Sequence, residues 1–245
     1  MEQDGMTKKE KRALAKEQKR QDQDKKVVAN KVKKFLIWIF AAGLILALGV
    51  KAWKWVSTPT PQVAGEAAEA KENDWVKGDE QAKVTLVEYG DFQCPACATY
   101  YFLTKKLVEE VPQGFKIVYR HYPLTTLHKN AFTAARASEA AGAQGKFWEM
   151  HDLLYEKQSD WSEEENPKDK FVAYAKELGL DEAKFNEDFE KNEYKDKIEA
   201  HMAEATSLGV NATPTFYLNG TKIQPTSYEE FKKLVEDQIR GYSVQ

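Results

Sequence analysis

The chain has 245 residues, 42% of them hydrophobic and 12% aromatic, enough to fill one good-sized core with segments to spare. Its net charge of −3 hides a division, because residues 1–34 carry +6 and residues 57–245 carry −11. Acids are interspersed in the basic leader "KKEKRALAKEQKRQ", so it reads as a solvated orienting tail and argues against a nucleic-acid-binding arm.

Between Lys34 and Lys51 lies "FLIWIFAAGLILALGV", sixteen residues without a charge. As a helix this run is roughly 24 Å long, short of a ~30 Å hydrocarbon core. Continuing to Val56 covers the shortfall, since Lys51 and Lys54 can snorkel and Trp53 and Trp55 suit the interface. Residues 35–56 are therefore expected to form an uncleaved transmembrane anchor. A buried core helix and the apolar part of a signal peptide are the alternatives. Val50-Lys51-Ala52 resembles a small-residue cleavage site, but 34 residues of charged leader are long for a signal peptide. The Lys/Arg excess ahead of the span places the N-terminus in the cytoplasm and the bulk of the chain outside.

Residues 57–74 are rich in Pro, Ala and Glu without apolar periodicity and read as a tether. The folded domain is expected over 75–245. "AKVTLVEYGDF" (82–92) is a buried-strand run. A helix follows the cysteines, with Tyr100, Leu103, Leu107 and Val111 at spacings of three and four. "FKIVYRHY" (115–122) is a second strand, and about eighty residues of helical periodicity come next. "TPTFYLNGTKI" (213–223) reads as strand, Asn-Gly turn and return strand. "SYEEFKKLVEDQI" closes as an amphipathic helix with Ser227 as its cap. A parallel strand pair needs a crossover of only a dozen or more residues. The long block is thus a helical subdomain, about 124–208, inserted in an α/β domain.

The only two cysteines, Cys94 and Cys97, sit in "GDFQCPACATYY". A staple is excluded on magnitude, since a four-residue loop gains only about 2 kcal/mol before strain. A closed zinc site wants four ligands, and His121, His128, His151 and His201 include no pair three to five apart; no metal is expected. Inert core thiols fit poorly at a strand-to-helix junction. A redox dithiol uses each neighbour. Pro95 suits the first helical position, and the unpaired first-turn N–H groups and helix dipole then favour a Cys94 thiolate. Cys97, one turn on and more buried, stays the weaker acid and resolves.

Two further residues fit this chemistry. Glu88 shares a strand face with Val84 and Leu86. It is either a carboxylate at a solvated strand end or a buried acid, of raised pKa, trading protons with Cys97. Pro214 after Thr213 is either an edge-strand device or a cis-proline; spacing leaves both open.

"VEYGDFQCPAC", "YRHYPL", "FWEMHDLL" and "GVNATPTFYLNG", in this order, resemble the DsbA-like thiol–disulfide oxidoreductases, which carry a helical domain inserted in a thioredoxin fold. The likeness covers roughly residues 75–240, and the anchor resembles those of membrane-tethered bacterial members. It implies Cys94 as nucleophile, Cys97 as its partner and Glu88 as the buried acid. Pro214 matches the facing cis-proline, and Thr213 presents backbone to substrate beside Pro95 and Ala96. At Ala96 the best-known oxidants carry a histidine that further stabilises the thiolate, so this chain departs from them there.

The function expected is an extracytoplasmic oxidase of reduced exported proteins. It needs no cofactor beyond a Cys94–Cys97 disulfide and, by resemblance, is recycled by a quinone-linked membrane protein. A reductase or isomerase would run the same chemistry in the other direction, and the redox potential separates the two. A non-enzymatic peptide-binding or chaperone module would keep its activity without Cys94.

Overall fold

The computed structural model describes residues 69–243, together with Trp38. The leader 1–34, the anchor 35–56 apart from Trp38, and the tether to residue 68 lie outside the described residues. Among the described residues, no helix is long and apolar enough to cross a membrane.

Five strands form one mixed sheet in the order β1-β3-β2-β4-β5: β1 Trp75–Gly78, β2 Val84–Gly90, β3 Phe115–His121, β4 Thr215–Leu218 and β5 Thr221–Ile223. The central β2, VTLVEYG, is buried at all seven positions, as befits a β-branched run covered on both faces. It pairs in parallel with β3 and antiparallel with β4. The parallel pair is joined through helix α1, Pro95–Glu110.

One sheet face carries Val84 and Leu86, packed with Leu107 of α1 and with Phe231 and Val235 of the last helix. The other carries Val87, Tyr89, Val118 and Tyr217. Complete burial of Leu107 or Phe231 contributes about 1.5–3 kcal/mol apiece. The buried stripe of α1 is Cys97, Tyr101, Thr104 and Leu107. Of the four residues expected to line that face, only Leu107 is fully buried; Tyr100, Leu103 and Val111 pack half-buried beside it. The helix is squeezed between the sheet and the insertion, so two adjacent stripes find cover.

Between β3 and β4 run α2 Ala131–Gly142, α3 Phe147–Glu156, α4 Gln158–Trp161, α5 Lys168–Glu177, α6 Glu182–Phe189 and α7 Asn192–Ser207, the inserted subdomain. Its core joins the small faces of Ala134, Ala137 and Ala141 to Phe147, Trp161 and Phe171. The Asn219-Gly220 hairpin forms as expected, with φ 47° and 75°, and Asn219 Oδ1 accepts the Thr85 N–H at 2.8 Å. The closing helix α8, Tyr228–Ser243, is capped by Ser227, whose Oγ accepts the Glu230 N–H at 3.2 Å.

The first strand starts at Trp75, where the domain is expected to begin. β1 was not foreseen, because four residues are too few to display an alternation. Its Trp75 stacks on Phe147 with ring centroids 4.7 Å apart and donates to Glu139 Oε1 at 2.8 Å. Residues 69–74, assigned to the tether, are bonded to the domain. Arg120, fully buried, holds Asp74 at 2.6 Å and Glu204 of α7 at 2.6 Å, and donates to the Glu69 carbonyl.

Candidate active site

β2 ends at Gly90, and Asp91 to Gln93 turn the chain so that Cys94 is the N-cap of α1. The turn is built by Asp91. Its Oδ1 accepts the Gln93 N–H at 2.7 Å and its carbonyl accepts the Cys94 N–H at 3.1 Å, the local side-chain turn that aspartate favours. Cys94 has extended backbone and Pro95 starts the helix. Proline has no N–H, so the first-turn donors are the amides of Ala96 and Cys97, both directed at Cys94 Sγ. Pro95 and Ala96 are exposed, while Cys94 is 7% and Cys97 0% accessible. Both cysteines are free thiols.

The structure brings the distant half of the predicted site to this turn. The Thr213–Pro214 bond is cis, and the Thr213 carbonyl accepts the Cys94 thiol at 3.4 Å. Thr213 Oγ1 is buried without a hydrogen-bond partner; once Cys94 ionises, its sulfur supplies the missing acceptor. The Cys94 pKa is lowered to about 5. Its hydrogen bond with the Cys97 thiol is the largest cause; burial opposes it, and the Thr213 side chain and then the two amides add to the lowering. The sequence alone points to the amides first. Two side-chain donors, the Cys97 thiol and the Thr213 hydroxyl, outrank them.

Cys97 moves the other way. Burial first, then the hydrogen bond and charge of Cys94 and the charge of Glu88, push its thiol well above the ordinary value. Glu88 is 2% exposed, lies between Tyr119 of β3 and Phe216 of β4 in register, and is raised to about 8 by burial. The buried reading of this carboxyl therefore holds. Its Oε1 has no hydrogen-bond partner.

Several residues at the site were not legible. Gln158 of α4 donates to the carbonyls of Phe92 at 2.7 Å and Cys94 at 3.1 Å. Gln93 donates to the Ser162 carbonyl at 2.7 Å and accepts the Asn130 N–H at 2.7 Å. Asp91 Oδ2 takes the Leu124 N–H at 2.8 Å and His128 Nδ1 at 2.7 Å. Only Asp91 had a local signal, its position before a turn; the others act across more than thirty residues.

The pKa asymmetry has a direct test. Alkylation of the reduced protein by iodoacetamide should rise with a midpoint near pH 5 and modify one cysteine per chain at pH 7. A midpoint at the ordinary ~8.5 of a free thiol would overturn the reading of the site.

A thioredoxin-type sheet with a helical insertion, carrying a buried Cys-X-X-Cys pair against a cis-proline, defines an enzyme: a thiol–disulfide oxidoreductase of the DsbA type. The sequence model of the thioredoxin family matches residues 70–237, and the chain belongs to that family. A thioredoxin-like oxidoreductase from Silicibacter pomeroyi is 28% identical with a TM-score of 0.61, over 72% of this chain and 98% of that one. Oxidised BdbD from Bacillus subtilis is 27% identical with a TM-score of 0.60, over 67% and 92%. The Na(+)/H(+) antiporter NhaA 1 of Salinispora arenicola is 40% identical over 151 residues, which are 62% of this chain and 22% of the antiporter. The chain spans less than a third of the length of such curated relatives, and the antiport in their name is a property of those longer proteins.

Proposed function

We propose that the chain oxidises the thiols of exported proteins outside the cytoplasm, held to the membrane by residues 35–56, with its Cys-Pro-Ala-Cys pair cycling between disulfide and dithiol. The observation that supports this reading most is the placing of Cys94 at the N-cap of α1, its Sγ 3.4 Å from the Thr213 carbonyl beside the cis-proline, with Cys97 fully buried one turn on. This arrangement sets their acidities in opposite directions. A substrate thiolate, aligned as an extra strand along Thr213 and past the exposed Pro95 and Ala96, attacks Cys94 Sγ. The Cys94–Cys97 bond breaks, and the electron pair departs on Cys97, which takes the proton of Glu88. A second substrate thiolate then attacks the substrate's own sulfur in the mixed disulfide. Cys94 leaves as its stable thiolate, since a low-pKa thiol is the better leaving group. The substrate has lost two electrons and the enzyme has gained them. A quinone-linked membrane protein accepts them in turn.

Stabilising the dithiol raises the reduction potential. The potential of the pair should therefore lie well above the roughly −270 mV of thioredoxin, and a value near that figure would make the chain a reductase.

Linkage gives a second check. Folding depresses the Cys94 pKa from about 9 to about 5, so the reduced form gains stability as pH rises through that window and loses it as pH falls through 5. At pH 7 the gain is about 2–3 kcal/mol, comparable with the ~2 kcal/mol of a four-residue disulfide loop. The Tm of the reduced protein minus that of the oxidised protein should climb between pH 5 and pH 9. A flat difference would contradict the thiolate assignment.

A further inference from the structure

We propose that the side-chain oxygen of Gln158 is a second point at which the substrate backbone is read. It accepts the N–H of the residue next to the one aligned on Thr213, and so selects against cysteines with a proline at that place. This rests on the strand alignment along Thr213 given above.

The need follows from the hydrogen bonding of an extended chain. Along a strand, the backbone groups of successive residues face opposite ways. When one substrate residue turns its N–H and carbonyl to Thr213, its neighbours turn theirs to the other side. Those groups leave water as the substrate lies down beside Cys94, and an N–H left unpaired there opposes binding. Thr213 belongs to the sheet domain, so the acceptor has to come from the insertion.

Gln158 opens α4 of the insertion and supplies one. Its Nε2 donates to the carbonyls of Phe92 at 2.7 Å and Cys94 at 3.1 Å. Both partners only accept, which fixes the amide with its nitrogen toward the turn and its oxygen away from it. The two N–H bonds are then spent, and Oε1 is left over. Gln158 is half-buried, and its Oε1 is reached by solvent and takes no hydrogen bond from any described residue.

The setting is rigid. The Cys94 carbonyl also takes the Ala98 N–H of α1 at 3.1 Å. Trp161, fully buried, pins α4 by donating its Nε1–H to the Leu154 carbonyl at 2.9 Å. An acceptor held at two points beside the reacting sulfur keeps its place when substrate arrives, and little side-chain entropy is lost on binding.

Other polar groups of this turn are already engaged. Gln93 spends its Nε2 on the Ser162 carbonyl and its Oε1 on the Asn130 N–H. Asp91 gives Oδ1 to the Gln93 N–H, and Oδ2 to the Leu124 N–H and His128. Pro95 and Ala96, the exposed residues of the motif, have apolar side chains. A substrate proline has no N–H to give and would leave Oε1 dry and unpaired.

The test is a coupling between enzyme and substrate. The oxidised full chain is mixed with a peptide carrying one cysteine thiol, and the rate constant for forming the mixed disulfide on Cys94 is read by mass spectrometry of acid-quenched samples. It is compared with the constants for peptides bearing one backbone N-methyl group, placed in turn at the residues around the cysteine. In the parent protein one position should cost about 3- to 10-fold, the range of one neutral hydrogen bond. That cost should shrink to less than about 1.5-fold in Gln158→Met, which keeps the length of the side chain without its amide, and in Gln158→Lys, whose ammonium still donates to the two carbonyls but accepts nothing. An adjacent position, reading Thr213, should cost the same in all three proteins. Any change in Cys94 acidity acts on every peptide alike and cancels from the ratios. Should Gln158→Met not fold, Gln158→Lys decides. If every cost persists in the variants, Gln158 only holds the turn, and the acceptor role is overturned while the Thr213 alignment stands. If N-methylation costs nothing anywhere in the parent, that alignment falls and takes the acceptor with it. A parent chain that forms no mixed disulfide with any peptide would overturn the proposed function itself.

Discussion

Cys94→Ser abolishes disulfide transfer, lowering the oxidation rate of a reduced substrate by roughly 10⁴-fold or more, the scale on which enzymes lose a covalent nucleophile. Serine matches the space and the hydrogen bonds around Cys94, so the variant should fold. It has no sulfur for a substrate thiolate to attack. Cys97 cannot stand in, because it is 0% exposed and its thiol is held far above the usual range by burial. Cys97→Ser should fail differently: its Cys94 thiolate attacks a substrate that already carries a disulfide, and one substrate sulfur leaves as thiolate. The mixed disulfide on Cys94 then accumulates because no Cys97 resolves it, as mass spectrometry of acid-quenched samples should show. A Cys94→Ser protein that still served its substrates at the parent rate would be a peptide-binding module, and the enzymatic reading would be lost.

Arg120→Leu has the largest expected effect on folding. The guanidinium is fully buried between Asp74 and Glu204, each at 2.6 Å, and also donates to the Tyr89 hydroxyl at 3.2 Å. Removing it leaves the buried Asp74 carboxylate without its counter-charge, while Glu204 keeps only Lys71 at 2.6 Å. Breaking a buried pair from one side costs about 3–5 kcal/mol, which lowers Tm on the order of 10 °C for a domain of this size. Residues 69–74 should also detach, and proteolysis there should precede global unfolding. Double replacement of Arg120 and Asp74 by apolar residues should recover part of the loss. A change below about 1 kcal/mol in chemical denaturation would show that the cluster is only well packed and carries little of the stability.

How much of this could be read from residues alone follows from the range of each interaction. Cys94, Pro95 and the helix start are encoded within four positions. Glu88 announced itself by alternation with Val84 and Leu86, although its burial depended on Tyr119 and Phe216 arriving from other strands. The cis state of Pro214 was open on spacing and came only through resemblance. Helix amides are predictable from sequence, whereas the two causes that outrank them depend on the folded site: the Cys97 thiol turned onto Cys94 and the Thr213 side chain, brought in from 119 residues away. The same holds for Glu139. Nothing in its Ala-rich helix singles it out, yet it accepts from Trp75, His121 and Lys197 at 2.8, 2.8 and 2.9 Å. Burial pushes its carboxyl up, and these partners more than reverse that, to about 2.

The grips of Gln158 and Gln93 on the turn before Cys94 bind the insertion to the chemistry. The amide of Gln158 spans the carbonyls on either side of Gln93, and Gln93 is itself clasped by Asn130 and Ser162. With both arms of the cleft fastened to the same few peptide groups, the enzyme has little freedom to gape around a bulky visitor. Under the proposed function, adaptation then falls to the visitor, which would favour cysteines on loose, still-unravelled stretches over those already locked inside finished proteins.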